Sequence, residues 1–89
     1  MEKISIDGNV SSRDELHNML KEKLGLPEYY GKNLDALWDC LTGYIQLPLT
    51  IEWFNYDITK KNLGSYAEKL LSLMREAEKE LDGFKFELR

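Results

Sequence analysis

Three short stretches of the 89-residue chain alternate apolar and polar side chains. Ile4 and Ile6 alternate with Lys3 and Ser5 and run into Asp7-Gly8. Leu47, Leu49, Ile51 and Trp53 alternate with Pro48, Thr50 and Glu52, and Phe84, Phe86 and Leu88 alternate with Lys85, Glu87 and Arg89. A period of two is that of a half-buried strand, so three strands are predicted, the first closing in a turn and the second carrying its proline near its start. Elsewhere the spacing changes to three and four. Ser11 or Ser12 opens a helix, with Ser12 and Glu15 forming a capping box, Leu16, Met19, Leu20 and Leu24 an apolar stripe, and Gly25 with Leu26-Pro27 a stop. A loop from Pro27 to Lys32 leads to Asn33, which caps a short helix running through Leu41 and closed by Thr42-Gly43. A further short helix is expected over Asp57 to Leu63. Ser65 with Glu68 caps a last, long helix whose Ala67, Leu70, Leu71, Met74, Ala77 and Leu81 face inward, and Gly83 ends it.

Strands alternating with helices require crossover connections, which implies a three-stranded parallel sheet with about four helices. Parallel strands covered on both faces read as continuous apolar runs, whereas all three here alternate, so the helices should pack mainly on one face. The expected fold is a two-layer α/β single domain over residues 1–89, with no internal repeat and no linker dividing it.

Composition narrows what such a domain does. Apolar residues at 43% and charged residues at 31% suit a globular protein, and no run approaches the roughly 20 apolar residues of a spanning helix. The start, Met1-Glu2-Lys3-Ile4, lacks the basic and apolar regions of a signal peptide, so cytoplasmic residence with no membrane association is the expectation. Cys40 is the single cysteine and cannot close an intramolecular disulfide, and it reads as a buried thiol rather than a nucleophile. His17 has no second His or Cys nearby and reads as an ordinary helix residue, so neither metal nor cofactor is expected. The net charge of −4 is unevenly spread: residues 28–52 hold Glu28, Asp35, Asp39 and Glu52 against Lys32 alone. Nucleic acid would draw Lys and Arg, so direct binding to it is not expected, and the acidic block suits a cationic protein instead.

Candidate chemistry lies in that block. At about 100° per residue, Leu34, Leu37 and Leu41 share one side of the short helix, Asp35, Asp39 and Thr42 share the opposite arc, and Trp38 lies at the border. Tyr29 and Tyr30 precede this helix by one glycine-containing loop, and Tyr44 follows it. Aromatic anchors around carboxylates are the composition of an interface hot spot. Pattern alone leaves a second reading open, in which Tyr30 and Trp38 are core aromatics and the two aspartates a solvated face. An enzyme would use Asp35 and Asp39 as an acid/base pair, but such a pair needs a cleft and a nucleophile that the chain does not offer, so no catalytic residue is assigned.

The continuous stretch Leu26-Pro27-Glu28-Tyr29-Tyr30-Gly31-Lys32-Asn33-Leu34-Asp35-Ala36-Leu37-Trp38-Asp39-Cys40-Leu41-Thr42-Gly43 resembles the barstar family of ribonuclease inhibitors. Leu16-His17, Glu52-Trp53 and Arg75-Glu76-Ala77 extend the likeness along the chain. The resemblance implies a parallel three-stranded sheet with four helices, and a binding surface made by the second helix and its preceding loop. It implies that Asp39 enters the cationic active site of a basic, secreted, barnase-like ribonuclease in place of a substrate phosphate, with Asp35 in support. Tyr29, Tyr30, Gly31, Asn33, Trp38, Thr42, Gly43 and Tyr44 would shape the contact, and Glu76 would add a carboxylate from the last helix. The expected assembly is a 1:1 complex formed by a free monomer, and the alternative is an acidic module docking a basic partner without inhibiting it. Lys32, Tyr44 and Gln46 depart from the family pattern around the site, which bears on the choice of ribonuclease, and Asp82 stands where a second cysteine occurs.

Overall fold

In the computed structural model, which describes residues 2–89, the three alternating stretches form one parallel sheet of order β1-β2-β3. Its strands are β1 (Glu2–Asp7), β2 (Leu49–Phe54) and β3 (Phe84–Leu88). Helices α1 (Arg13–Leu24) and α2 (Leu34–Gly43) connect β1 to β2, and α3 (Tyr56–Leu63) and α4 (Ser65–Glu80) connect β2 to β3. The register pairs Ile4, Ile51 and Phe86 across the sheet, so every in-pointing position of the alternation lands in one layer. Ile6, Leu49, Ile51, Trp53, Phe84 and Phe86 are buried there beneath the helices. The other face carries Lys3, Ser5, Glu52, Lys85 and Glu87, where Arg89 donates to Glu52 at 3.0 and 2.7 Å and to Glu87 at 2.8 Å. The two-layer expectation is met. No helix among the described residues is long and apolar enough to cross a membrane.

Helix α3 begins at Tyr56, one residue before the expected Asp57, and three further differences from the sequence reading each have a local reason. Strand β2 begins at Leu49 and not at Leu47, because Pro48 has no N–H for the ladder and the first bond is donated by Leu49 to the Gly83 carbonyl at 2.8 Å. Helix α2 continues to Gly43, two residues past Leu41, and closes when the N–H groups of Tyr44 and Ile45 both turn back to the Cys40 carbonyl. The Ser65–Glu68 capping box does not form: Ser65 is already helical, Gly64 is the cap residue, and Glu68 pairs with Lys60 at 2.9 Å. Gly64 ends α3 and starts α4 at φ 60° and ψ −130°, a conformation essentially confined to glycine. By contrast, Ser12 caps α1 as expected, accepting from the Glu15 N–H at 3.1 Å.

Trp53 on the central strand anchors the core with no exposed surface, its ring 5.9 Å from that of Phe86. Its indole N–H donates to Thr59 at 3.2 Å, and the Thr59 hydroxyl donates to the Gly8 carbonyl at 2.6 Å. Any side chain on Gly8 would overlap both the indole and the threonine hydroxyl, so the glycine is required there by close approach. Among the described residues no buried side-chain nitrogen or oxygen lacks a partner.

Candidate functional site

Helix α2 starts where it does because Asn33 folds back on both sides of the junction. Its Oδ1 accepts from the Ala36 N–H at 2.7 Å, satisfying an otherwise orphaned donor, while its Nδ2 donates to the Gly31 carbonyl at 3.2 Å. Lys32, immediately before it, takes the left-handed conformation at φ 55° and turns the chain into the helix. Gly31 lies close enough to the helix that an added Cβ would sit 3.2 Å from Ala36 Cβ. The loop and the first turn are thereby held as one unit.

From that start, Leu37 and Leu41 are buried and Leu34 is half-buried, while Asp35, Asp39 and Thr42 are exposed. Trp38 is half-buried against the core cluster, at the border between the two arcs. The two carboxylates are one turn apart, about 6 Å along the axis. Among the described residues neither makes a hydrogen bond or an ion pair. Glu28 differs, reaching Lys21 at 3.4 Å, and so does Glu52, held in the Arg89 network. Tyr29 is 84% exposed and Tyr44 48% exposed, one before the helix and one at its end. The Thr42 hydroxyl is turned back to the Trp38 carbonyl at 2.8 Å, and Gly43 has open space around it.

Tyr30 is not on this surface, against the expectation that it would share in the contact. It is 6% exposed, and its hydroxyl lies 2.7 Å from Nδ1 of His17. The other imidazole nitrogen, Nε2, lies 2.6 Å from the Tyr66 hydroxyl. Burial drives this arrangement: an unpartnered phenol inside the core would forfeit its hydration, so all three polar groups must meet. Burial also pushes the Tyr30 and Tyr66 hydroxyls up from their ordinary range and holds the imidazole below its own. The triad joins α1, the 27–32 loop and α4, so Tyr30 acts by fixing the loop that presents Tyr29.

His17 is therefore more than an ordinary helix residue, and neither it nor Tyr66 stood out from the sequence. The available signal was positional, since His17 falls in the stripe of Leu16, Leu20 and Leu24 and Tyr66 four residues before Leu70.

Glu76 is exposed on α4, which packs beside α2. It follows Lys69 by seven residues and so shares its helix face. Lys69 lines a cleft of about 340 Å³ with Arg13, Lys32, Asn33, Asp35 and Tyr66, which puts Lys69 on the side of Asp35. Cys40 is buried and unpaired, its thiol pushed up first by burial and then by the charge of Asp39, as suits a core thiol rather than a nucleophile.

The family model described as "Barstar (barnase inhibitor)" matches residues 1–89. The chain belongs to the barstar family. It is 52% identical over 87 residues to the Bacillus subtilis (strain 168) protein named "Putative ribonuclease inhibitor YrdF", covering 96% of each chain. For this barstar-family chain, the departures expected at Lys32, Tyr44 and Gln46 are all exposed and flank α2 at its two ends, and Asp82 is exposed beyond α4.

Proposed function

We propose that the chain inhibits a basic, secreted, barnase-like ribonuclease by filling its active site with Asp39, one inhibitor chain per enzyme. The observation that carries this reading is the pair Asp35 and Asp39: exposed and unpaired among the described residues, on a helix whose start is fixed, with exposed Tyr29 before it and Tyr44 at its end. A ribonuclease concentrates cationic side chains to hold phosphate. A carboxylate on a rigid helix satisfies those donors through charge-assisted hydrogen bonds and offers no bond to cleave. Asp35 and Glu76 extend the negative field, which speeds encounter with a cationic enzyme, and Tyr29 and Tyr44 supply apolar contact at the rim. The protein works by occupancy and turns nothing over. Cytoplasmic action follows from this role, since cellular RNA needs protection before the enzyme is exported.

Titrating the protein into barnase-like ribonucleases while following RNA cleavage tests the proposal. Cleavage should stop at one equivalent for the cognate enzyme, and Asp39→Ala should weaken inhibition more than about tenfold, or 1.4 kcal/mol, with the circular dichroism of the free protein unchanged. Binding to a basic ribonuclease without loss of cleavage would instead support a docking module, and an unchanged inhibition constant for Asp39→Ala would remove the mechanism.

A further inference from the structure

We propose that the free edge of β1 is a self-association surface, where a second copy of this chain adds its own β1 antiparallel and makes one continuous six-stranded sheet. The two edges of the sheet are treated differently. At β3 the outward backbone groups of Phe86 are satisfied within the chain: its N–H donates to Glu78 at 2.8 Å and its carbonyl accepts from Arg75 at 2.6 Å. Those two side chains, themselves paired at 2.9 Å, close that edge. At β1, among the described residues, no strand pairs with the outer side.

The backbone phase of β1 follows from one bond. Gly8 N–H donates to the Phe54 carbonyl at 2.7 Å, so residue 8 faces β2. By alternation Ile4 and Ile6 do the same, and the N–H and C=O groups of Lys3, Ser5 and Asp7 point outward. In an antiparallel pair those outward residues meet one another. Centring the two-fold axis on Ser5 sets Ser5 opposite Ser5, Lys3 opposite Asp7 of the second copy, and Asp7 opposite its Lys3. Ile4 then faces Ile6 on the covered side. The segment Lys3-Ile4-Ser5-Ile6-Asp7 is thus complementary to itself in charge and in hydrophobicity, in a register its backbone phase permits. A one-residue shift would break the phase, and a two-residue shift would lose both charge pairs.

The side chains are placed for this. Lys3 is 55% exposed and has only a 3.8 Å contact with Glu52, which Arg89 already holds more closely. The Asp7 carboxylate is fixed through Oδ1 by the Asn9 N–H at 3.0 Å and the Asn55 amide at 2.9 Å. Beside the strand lies a cleft of about 400 Å³ lined by Ser5, Ile6, Met19, Lys23 and Phe54, in which Met19 is only half-buried, and Ile4 on the same strand is half-buried as well. A second β1 would cover them. The contact is one strand wide, so the association is weak, and the dilute protein is monomeric.

Sedimentation velocity across a ~hundredfold concentration range reaching ~1 mM should show the mass rising from 10.4 kDa toward twice that value. Ser5→Pro removes an outward N–H that β2 does not use, so it should fold and stay monomeric throughout, and Lys3→Glu, which sets like charges face to face, should do the same. Ser5→Cys should form a dimeric disulfide under mild oxidation, because opposed residues in a hydrogen-bonded antiparallel pair have Cα atoms about 5.5 Å apart. Lys3→Cys should cross-link far more slowly, since Asp7 stands opposite it, and the buried Cys40 does not compete. A constant monomer mass at the highest concentration overturns the proposal. So does a dimer that survives both Ser5→Pro and Lys3→Glu, or equal cross-linking by the two cysteine variants.

Discussion

Protonating His17 should lower the stability of this protein in a pH range above that in which Asp7, Glu52 and Glu78 lose their charge. The imidazole has no exposed surface and lies between two phenols, 2.7 Å from Tyr30 and 2.6 Å from Tyr66. Neutral imidazole offers one N–H and one bare nitrogen, so one tyrosine accepts and the other donates. A second proton turns both nitrogens into donors, leaves the donating hydroxyl facing a donor, and buries a charge. Desolvation accordingly holds the His17 pKa below its ordinary 6.5, with Asp14 opposing in part. The unfolded chain takes up its proton near 6.5 while the folded chain does not, so stability falls as pH drops from there to the lower folded value. The limiting slope is about 1.4 kcal/mol per pH unit. Three paired carboxylates act later: Asp7 is held below 3.8, and Glu52 and Glu78 below 4.5, so their contributions disappear only as pH falls through those lower values. Urea unfolding at several pH values between about 7 and 5 should show the slope in the wild type and not in His17→Gln, which keeps a donor and an acceptor but takes up no proton. Equal slopes in the two proteins would refute the buried neutral imidazole.

Asn33→Ala should cost about 1 kcal/mol of stability through loss of the helix cap, and should weaken ribonuclease inhibition as well, because the same side chain holds the Gly31 carbonyl; urea titration and inhibition constants measure the two effects. Gly64→Ala should destabilise by about 1–3 kcal/mol although open space surrounds the site, since the cost is backbone strain; an unchanged thermal midpoint contradicts this. Asp39→Ala should raise the stability of the free protein by up to about 1 kcal/mol, from helix propensity and relief of the like charge at Asp35, so calorimetry and inhibition should move in opposite directions.

What was legible in the sequence was whatever one periodicity could carry. The strands at Ile4–Ile6, Leu49–Trp53 and Phe84–Leu88 announced their covered face directly, and Ser12 and Asn33 announced the helix starts. Ser65 misled because its capping pattern was genuine, yet the neighbouring Gly64 could adopt the sharp φ 60° turn between α3 and α4, which placed Ser65 already inside the helix. Asp35 and Asp39 could be placed on one exposed arc from spacing alone. Tyr30 could not be placed, because its direction depends on His17 and Tyr66, which come from two other helices and meet it only in the folded chain. The β1 edge was hidden likewise: Lys3 and Asp7 have local meaning as surface charges, and their complementarity emerges only with the phase of the backbone.

Helix α2 is arranged against its own electrostatics. The segment from Leu34 to Gly43 carries Asp35 and Asp39 one turn apart, and its last turn contains no basic residue. Asp35 gains from the positive end of the helix, but Asp39 lies toward the negative end and faces a like charge, so each of its local interactions disfavours it. A lysine at position 39 would serve the free helix better on both counts. The other acids of the 28–52 block are neutralised within the fold, Glu28 by Lys21 and Glu52 by Arg89 and Lys3. The sequence could therefore have balanced α2 and does not. What holds the unfavourable pair in place is structure elsewhere: the Asn33 cap, the buried Leu37 and Leu41, and the Tyr30–His17–Tyr66 triad behind the loop. Because that scaffold is already ordered, the proposed docking would cost little further conformational entropy, and a cationic partner would gain both its own attraction to Asp39 and the release of repulsion between the two aspartates. Under the proposed inhibition, the instability stored in the free helix becomes part of its affinity for a positively charged site.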